Sequence, residues 1–261
     1  MQIKIRDKTK RIDQYIKEEK LRDYYASTNN RIKFLNLYKS KTDILDQNTS
    51  KKWDTKNFES NIDFKTNPMA YDRTKIASTL ISYNNKNVLN IGFGPLNLEK
   101  IVLNNLNNNF SGNWKGIDIS KLSVIKAKKL FNNHNCKFEL KSILRDDIGK
   151  NKYDVVLALE VLEHISFKSI FRVLEKIHAS LKKNGLFLLS IPVNEGLDKM
   201  LKNNLNPNAH MRIYTENIIK YELSIVKFNI LKTIQLSAFH NNYTIKKIIS
   251  RFNPNLFTIN N

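Results

Sequence analysis

Apolar and polar residues follow one pattern in the first part of the chain and another in the rest. The first part is mostly polar, with apolar residues at helical spacing over 8–25 and 30–46. A loop-like segment follows, and Asn67-Pro68 disfavours a helix there, since the residue before a proline avoids helical backbone angles. We therefore predict an N-terminal helical cap or extension over residues 1–74.

Beyond this extension, short apolar runs alternate with amphipathic stretches. The predicted strands cover 87–91, 114–118, 137–140, 153–159 and 185–191, and the predicted helices start near 96 and cover 120–132 and 168–182. Such alternation favours a mostly parallel sheet with helices on both faces. Residues 75–261 are therefore expected to form one α/β domain of the Rossmann-like, doubly wound class.

Composition narrows the class of protein. A chain of 261 residues that is 41% hydrophobic can bury one sizeable core, and no apolar stretch reaches the roughly 18 residues of a membrane-spanning helix. The N-terminus lacks the apolar middle of a signal peptide. The single cysteine, Cys136, excludes an internal disulfide and a cysteine-based zinc site. We expect a cytoplasmic protein without a membrane span.

The net charge of +20 could indicate a nucleic-acid partner, because clustered cations release counterions from phosphates. However, the lysines are spread along the chain, and asparagine is abundant beside them, which favours a general compositional bias. A small-molecule acceptor is the expected partner, and nucleic acid is the alternative.

Ligands of such sheets bind beyond the carboxyl ends of the strands. Gly92 and Gly94 follow the first strand and allow a tight turn that brings the backbone close to a ligand, although a plain turn has the same pattern. Asp118 ends the second strand, where a carboxylate can accept both hydroxyls of a ribose. It could instead cap the next helix, as Ser120 could. Together these features indicate a cofactor that contains a nucleoside.

Four segments occur in an order that resembles class I S-adenosylmethionine-dependent methyltransferases. They are VLNIGFGP (88–95), GIDISKLSVIKAKKL (116–130), YDVVLALEVLEHI (153–165) and LKKNGLFLLSIP (181–192). Within that superfamily, EVLEH and the upstream NPMAYDR are similar to the branch of ubiquinone-biosynthesis O-methyltransferases and other small-molecule and sugar methyltransferases. The resemblance implies a seven-stranded sheet whose last strand is antiparallel.

The resemblance also implies where S-adenosylmethionine binds. Its implied contacts are Arg73 for the carboxylate, Asn90, Gly92 and Gly94 for the methionine part, Asp118 for the ribose, Ser142 near the adenine, and Leu159 against the cofactor. Arg73 suits a bidentate pair, but it could equally be a solvated charge.

Three of the positions that the resemblance assigns depart from the family pattern. The family usually has an acidic residue where Asn90 stands, a glycine where Leu96 stands, and often an aspartate near Ser142. Asn90 brings no negative charge to face the ammonium group of the cofactor. These changes predict weaker cofactor binding.

Polar residues follow the fourth strand. In a helical turn Glu160, Glu163 and His164 would share one face. With His210, from a later connection, they could hold Mg²⁺ or Mn²⁺. Metal-dependent quinone-ring O-methyltransferases and small-RNA 2′-O-methyltransferases share the Glu-x-x-Glu-His pattern. The alternatives are acceptor contacts without metal, or carboxylates that stabilise a helix N-terminus.

The expected activity is O-methylation of a small-molecule or sugar-type metabolite. His164 and His210 are the candidate catalytic bases, because imidazole titrates near neutrality. The alternatives are an RNA 2′-O-methyltransferase that uses a divalent metal, and a catalytically weak cofactor-binding or scaffold protein of the same fold. The extension is expected to cover the pocket, with Trp53 and Tyr71 near its mouth.

Overall fold

The structure is a computed structural model, and its elements fall into two compact units. It describes residues 33, 36, 48–55, 67–105, 110–131, 135–205, 208–236 and 258–260. The first unit, which we call the sheet unit, comprises Thr49–Val161, Lys176–Ser190 and Leu231–Asn261. The second unit comprises Met1–Asn48, Leu162–Glu175 and Ile191–Ile230.

The sheet unit contains the strand–helix alternation. Its strands are β1 (Asn87–Ile91), β2 (Asn113–Asp118), β3 (Cys136–Leu140), β4 (Tyr153–Leu159), β5 (Leu181–Ser190), β6 (Ile234–Leu236) and β7 (Thr258–Asn260). Its helices are α1 (Ser50–Trp53), α2 (Pro68–Leu80), α3 (Asn97–Asn105) and α4 (Lys121–Leu130), and α5 (Ile170–Ser180) begins in the second unit.

Strands β1 to β5 form one parallel sheet in the order β3-β2-β1-β4-β5. The central strands β1 and β4 are almost wholly buried, as expected for a parallel sheet with both faces covered. The expected α/β, Rossmann-like, parallel architecture is confirmed. The described residues place five strands in this sheet, and β6 and β7 form a separate antiparallel pair.

Helix α2 shows one wrong expectation. Asn67-Pro68 starts a helix instead of preventing one, because the proline occupies the first helical position, where its missing N–H is not needed. The Asn67 side chain caps the helix by accepting hydrogen bonds from the backbone N–H groups of Met69 and Ala70, at 3.0 and 3.1 Å. The expected domain boundary at 74/75 falls within α2. The predicted helices over 8–25 and 30–46 lie outside the described residues, apart from Lys33 and Asn36.

The second unit holds a 3₁₀ turn at Leu162–His164 and the helices α6 (Leu197–Lys202) and α7 (Glu216–Ile225). Leu197 and Leu201 of α6 form a small apolar cluster with Met200 and Ile213. Two further residues, Arg212 and Glu222, form a buried ion pair that includes the Tyr214 hydroxyl.

None of the helices within the described ranges is long and apolar enough to cross a membrane.

Candidate cofactor site and metal-ligand cluster

The loop after β1 is built on two glycines with left-handed backbone angles. Gly92 has φ +65° and Gly94 has φ +54°, a region that L side chains rarely adopt. The Gly92 N–H donates to the Ile117 carbonyl at 2.8 Å, which ties the loop to β2. A Cβ atom at Gly92 would lie 2.7 Å from Cγ2 of Val161. Position 92 therefore needs glycine both for its conformation and for its lack of a side chain.

Asp118 joins the end of β2 to this loop. Its carboxylate accepts hydrogen bonds from the backbone N–H of Gly94 at 2.9 Å and of Ser120 at 2.8 Å. The cap of α4 is instead the Ser120 hydroxyl, which accepts from the Ser123 N–H at 3.1 Å. Burial raises the pKa of Asp118, and the two amide hydrogen bonds oppose that shift. Each carboxylate oxygen keeps a lone pair that a ribose hydroxyl could use.

The Asn90 side chain contacts the buried carboxylate of Glu99, which the sequence analysis did not identify. Its Nδ2 donates a 2.7 Å hydrogen bond to Oε1 of Glu99, in the first turn of α3. The Trp114 indole donates to the same oxygen at 3.2 Å. Glu99 is fully buried, and burial raises its pKa from 4.5 to about 7. Glu99 is a charged residue on an otherwise apolar face of α3, nine positions after Asn90, and this pattern could have identified it from the sequence.

Leu96 keeps the backbone conformation that a glycine would have there. Its φ is +65°, and its side chain is fully buried in the main apolar cluster with Phe93 and Leu98. The left-handed angle costs roughly 1–2 kcal/mol in a residue other than glycine, and burial of a leucine side chain returns about as much. The bulk of Leu96 therefore points into the core.

Ser142 follows β3 and lies beside a carboxylate. Its backbone N–H donates to Oδ2 of Asp146 at 2.7 Å, and its hydroxyl accepts from the Leu144 N–H at 3.3 Å. Sequence reasoning looked for an acidic residue near Ser142 itself and missed the one four positions later. Asp146 can accept a hydrogen bond, as the aspartate implied by the resemblance would.

Arg73 and Glu160 form an ion pair within the sheet unit. The Nη1 atom of Arg73 lies 3.5 Å from the carboxylate of Glu160, which also accepts the Ser190 hydroxyl at 2.9 Å. Glu160 follows Leu159, the half-buried last residue of β4, and has a left-handed φ of +56°. Such backbone strain is common at functional sites. The structure gives Glu160 these two partners within the sheet unit.

A segment before α2 packs at the N-terminus of α4. The Asp54 carboxylate accepts the Ser120 hydroxyl at 2.6 Å and the Leu122 N–H at 3.1 Å. Trp53 beside it is buried. The residue that this segment contacts, Ser120, is two positions after Asp118 in the chain.

The second unit brings three of the four expected metal ligands together. One ligand atom from each of Glu163, His164 and His210 lies within 4.8 Å of the others. The two imidazole rings are 4.9 Å apart between centroids and nearly perpendicular. Glu163 is fully buried, and the side chains of both histidines are 13% exposed. A hydrogen bond of 2.9 Å from the Met211 N–H to the Glu163 carbonyl holds the two chain segments together.

Each histidine of this cluster is oriented through Nδ1. His164 lies 3.0 Å from the Ala209 carbonyl, and His210 lies 2.9 Å from both carboxylate oxygens of Glu195. A carbonyl only accepts, and so does an ionised carboxylate, so in the neutral imidazoles Nδ1 carries the proton and Nε2 offers a lone pair. This is the usual arrangement of metal-binding histidines. Glu195 was not predicted, and no spacing in the sequence pointed to it.

The donor set of the cluster suits a first-row divalent ion. Two imidazole nitrogens and one carboxylate fit Mn²⁺ better than Mg²⁺, which prefers oxygen ligands. Asn208 and Ala209 precede His210 with φ of +54° and +60°, so two consecutive residues other than glycine adopt left-handed angles at this cluster. His178 lies on α5, away from the cluster residues along the chain, and His134 and His240 lie outside the described residues.

Comparison with known proteins finds a family match in the middle of the chain. Residues 89–187, which carry the glycine loop, Asp118 and the Glu163–His164 turn, match the family model described as a methyltransferase domain. No curated protein matches the sequence significantly.

Solved structures share the fold at low sequence identity. The S-adenosylmethionine-dependent methyltransferase from Mesorhizobium loti is 12% identical with a TM-score of 0.52, and the match covers 74% of this chain and 94% of that chain. A chain from the complex of the Haloferax volcanii Trm112 methyltransferase activator with a methyltransferase is 15% identical, with a TM-score of 0.53 and coverages of 66% and 73%.

Residues 89–187 therefore match a methyltransferase domain, and the sheet has the fold of an S-adenosylmethionine-dependent methyltransferase of known structure.

Proposed function

We propose that the protein transfers the methyl group of S-adenosylmethionine to a hydroxyl oxygen of a small-molecule or sugar-type metabolite, with a divalent ion held by Glu163, His164 and His210. The observation that carries this proposal is the orientation of the two histidines, whose Nδ1 atoms are fixed by Ala209 and Glu195. With Nδ1 so engaged, the neutral imidazoles can offer Nε2 to a metal, in a cluster that also holds the buried Glu163 carboxylate.

In this proposal the sheet unit binds the donor. The loop at Gly92–Gly94 receives the methionine part, Asp118 accepts the ribose hydroxyls, and Asp146 beside Ser142 meets the adenine edge. Leu159 packs against the cofactor. Arg73 is proposed to bind the cofactor carboxylate, which would exchange its Glu160 partner for a new one.

Methyl transfer needs little acid–base chemistry, because the sulfonium methyl is already activated. The acceptor oxygen attacks the methyl carbon, the carbon–sulfur bond breaks, and the sulfur leaves as a neutral thioether. Holding the two reactants in line can supply roughly 7–11 kcal/mol of the barrier. A divalent ion held by Glu163, His164 and His210 would supply positive charge that favours the deprotonated hydroxyl, and the proton would pass to solvent. In the metal-free protein, Nε2 of His164 or His210 is the group that could take the hydroxyl proton.

The test is methyl transfer from labelled S-adenosylmethionine to a panel of phenols, catechols and sugars, with and without EDTA. We expect transfer that is lost in EDTA, restored by Mn²⁺, and lost in H210N. H178N is the matched control, because His178 is an exposed histidine on α5. Transfer that survives both EDTA and H210N would remove the metal from the proposal.

A second candidate is an RNA 2′-O-methyltransferase, which a lysine-lined cavity favours. Lys115, Lys137 and Lys152 line a cavity of about 320 Å³ that also contacts Asn87 and Asn113, the first residues of β1 and β2. This cavity lies at the amino ends of the strands, whereas the glycine loop lies at the carboxyl ends. RNA binding with a steep salt dependence, flattened in K137E/K152E, would favour RNA as the acceptor.

The N-terminal residues 1–74 are proposed to cap the donor site. The support is the pair of hydrogen bonds from Ser120 and Leu122 to Asp54, close to Asp118 in the chain. We expect S-adenosylhomocysteine to protect the 50–75 segment from proteolysis. Unchanged cleavage would count against a cap.

A scaffold protein of the same fold would give no heat with S-adenosylmethionine in calorimetry.

A further inference from the structure

Glu99 is a buried carboxylate that the expected cofactor contacts do not include. Oε1 accepts hydrogen bonds from Asn90 at 2.7 Å and from Trp114 at 3.2 Å. Oε2 is buried and has no hydrogen-bond partner within the described part of the chain. Burial of a negative charge on such a carboxylate costs free energy unless a nearby positive charge or hydrogen-bond donor stabilises it.

The position of the pair relates it to the glycine loop. Asn90 is the penultimate residue of β1 and Glu99 lies in the first turn of α3, so their hydrogen bond closes the loop that contains Gly92 and Gly94. Because Nδ2 of Asn90 donates to Glu99, the Oδ1 atom is the end of the amide that can accept a further hydrogen bond. A negative charge on Glu99 polarises this amide and strengthens that acceptor.

We propose that Glu99, acting through Asn90, supplies the negative charge that binds the cationic methyl donor, and that this pair makes the enzyme prefer S-adenosylmethionine over S-adenosylhomocysteine. The two ligands both carry an ammonium group, but only the donor has a positive sulfur. Glu99 is a positioning and specificity residue in this account, since Asn90 stands between it and the ligand. The inference rests on the proposed placement of the cofactor at the glycine loop.

Binding of the cationic donor is expected to change the protonation of Glu99. Burial raises the pKa of Glu99 to about 7, and the Asp118 carboxylate that faces it adds to this rise. Tyr83 also faces Glu99, and burial, with Glu99 adding to it, raises the pKa of that phenol. Near neutral pH a fraction of Glu99 is therefore protonated. A cation bound at the loop favours the carboxylate, so Glu99 releases its proton to solvent as the donor binds and takes one up after the sulfur becomes neutral.

The experiment is calorimetric titration of the full chain with each cofactor at pH 7 in phosphate and in Tris, whose ionisation enthalpies differ. The difference in heat between the buffers gives the protons released. We expect the wild type to release more protons with S-adenosylmethionine than with S-adenosylhomocysteine. E99Q should lose that difference and bind the donor roughly tenfold more weakly, as expected for loss of one nearby charge, while product affinity, which involves only the ammonium charge, falls less.

The exchange variant N90D/E99Q is the matched control, because it returns the charge to the strand and keeps one carboxylate and one amide. It should recover the preference for the donor. If E99Q keeps both the wild-type preference and the wild-type proton release, the inference is wrong. If E99Q does not fold, equal proton release by wild type with the two cofactors overturns it. Absence of any cofactor binding by wild type would instead overturn the proposed cofactor site.

Discussion

The Gly94 N–H donates a 2.9 Å hydrogen bond to the Asp118 carboxylate, which joins the loop after β1 to the end of β2. Two features that the sequence separates by 24 positions therefore act as one structure. Asp118 therefore fixes the loop at which we propose that the methyl donor binds.

The first prediction concerns Asp118. D118N should weaken binding of S-adenosylhomocysteine by roughly tenfold or more, because an amide offers one acceptor where Gly94 and Ser120 require two. Calorimetry measures the affinity. S120A is the comparison variant: it removes the cap of α4, which costs about 1 kcal/mol of unfolding free energy, and the hydrogen bond to Asp54, and it should weaken cofactor binding less than D118N does. Wild-type affinity in D118N would contradict the assignment of Asp118.

The second prediction separates backbone strain from steric conflict. Gly92 and Gly196 both have φ +65°, but a Cβ atom would lie 2.7 Å from Val161 at position 92 and would contact nothing within 4 Å at position 196. G196A should cost about 1 kcal/mol for the left-handed angle alone. G92A should cost that amount plus roughly 1–3 kcal/mol for overpacking. Urea denaturation measures both, and equal losses would show that Val161 moves aside freely.

The third prediction is a pH dependence of stability. The folded-state pKa of Glu99 is raised from 4.5 to about 7, so the native state holds a proton that the unfolded state releases. The stability that this group contributes is therefore complete below about pH 4.5 and is lost as pH rises through 7, a change of about 3 kcal/mol. Between pH 5 and 8, wild type should lose more unfolding free energy than E99Q. Parallel pH profiles of the two proteins would refute the shift.

The fourth prediction concerns Glu195. Glu195 contacts His210 but is not one of the three candidate metal ligands. E195Q should therefore weaken Mn²⁺ binding by roughly 10–100-fold, whereas H210N, which removes a ligand, should abolish it. Electron paramagnetic resonance of Mn²⁺ titrations measures both. H178N should bind as wild type does. Equal affinities in E195Q and wild type would mean that Glu195 does not orient the imidazole.

Much of the sheet could be predicted from the sequence, because its strands are short apolar runs bounded by polar segments. Strand β4 was predicted with the observed bounds, Tyr153–Leu159. The helix from Pro68 was not predicted, since the same dipeptide that ends a helix can also begin one. The choice depends on whether Asn67 caps the N–H groups ahead, which periodicity does not encode.

The candidate site could be predicted only where a residue's position at the end of a strand is enough to indicate its role. Gly92 and Asp118 follow from position at a strand end. The charges that the sequence lacks at Asn90 and Ser142 are present on other residues, because Glu99 and Asp146 reach them through hydrogen bonds. Contacts made across a turn of the chain cannot be obtained from spacing alone.

The direct test of the central claim is a crystal structure of the protein with S-adenosylhomocysteine and Mn²⁺. We predict cofactor density over Gly92–Gly94 with the ribose hydroxyls on Asp118, and an anomalous manganese peak among Glu163, His164 and His210. Cofactor bound away from the glycine loop, or no manganese at the cluster, would contradict the account.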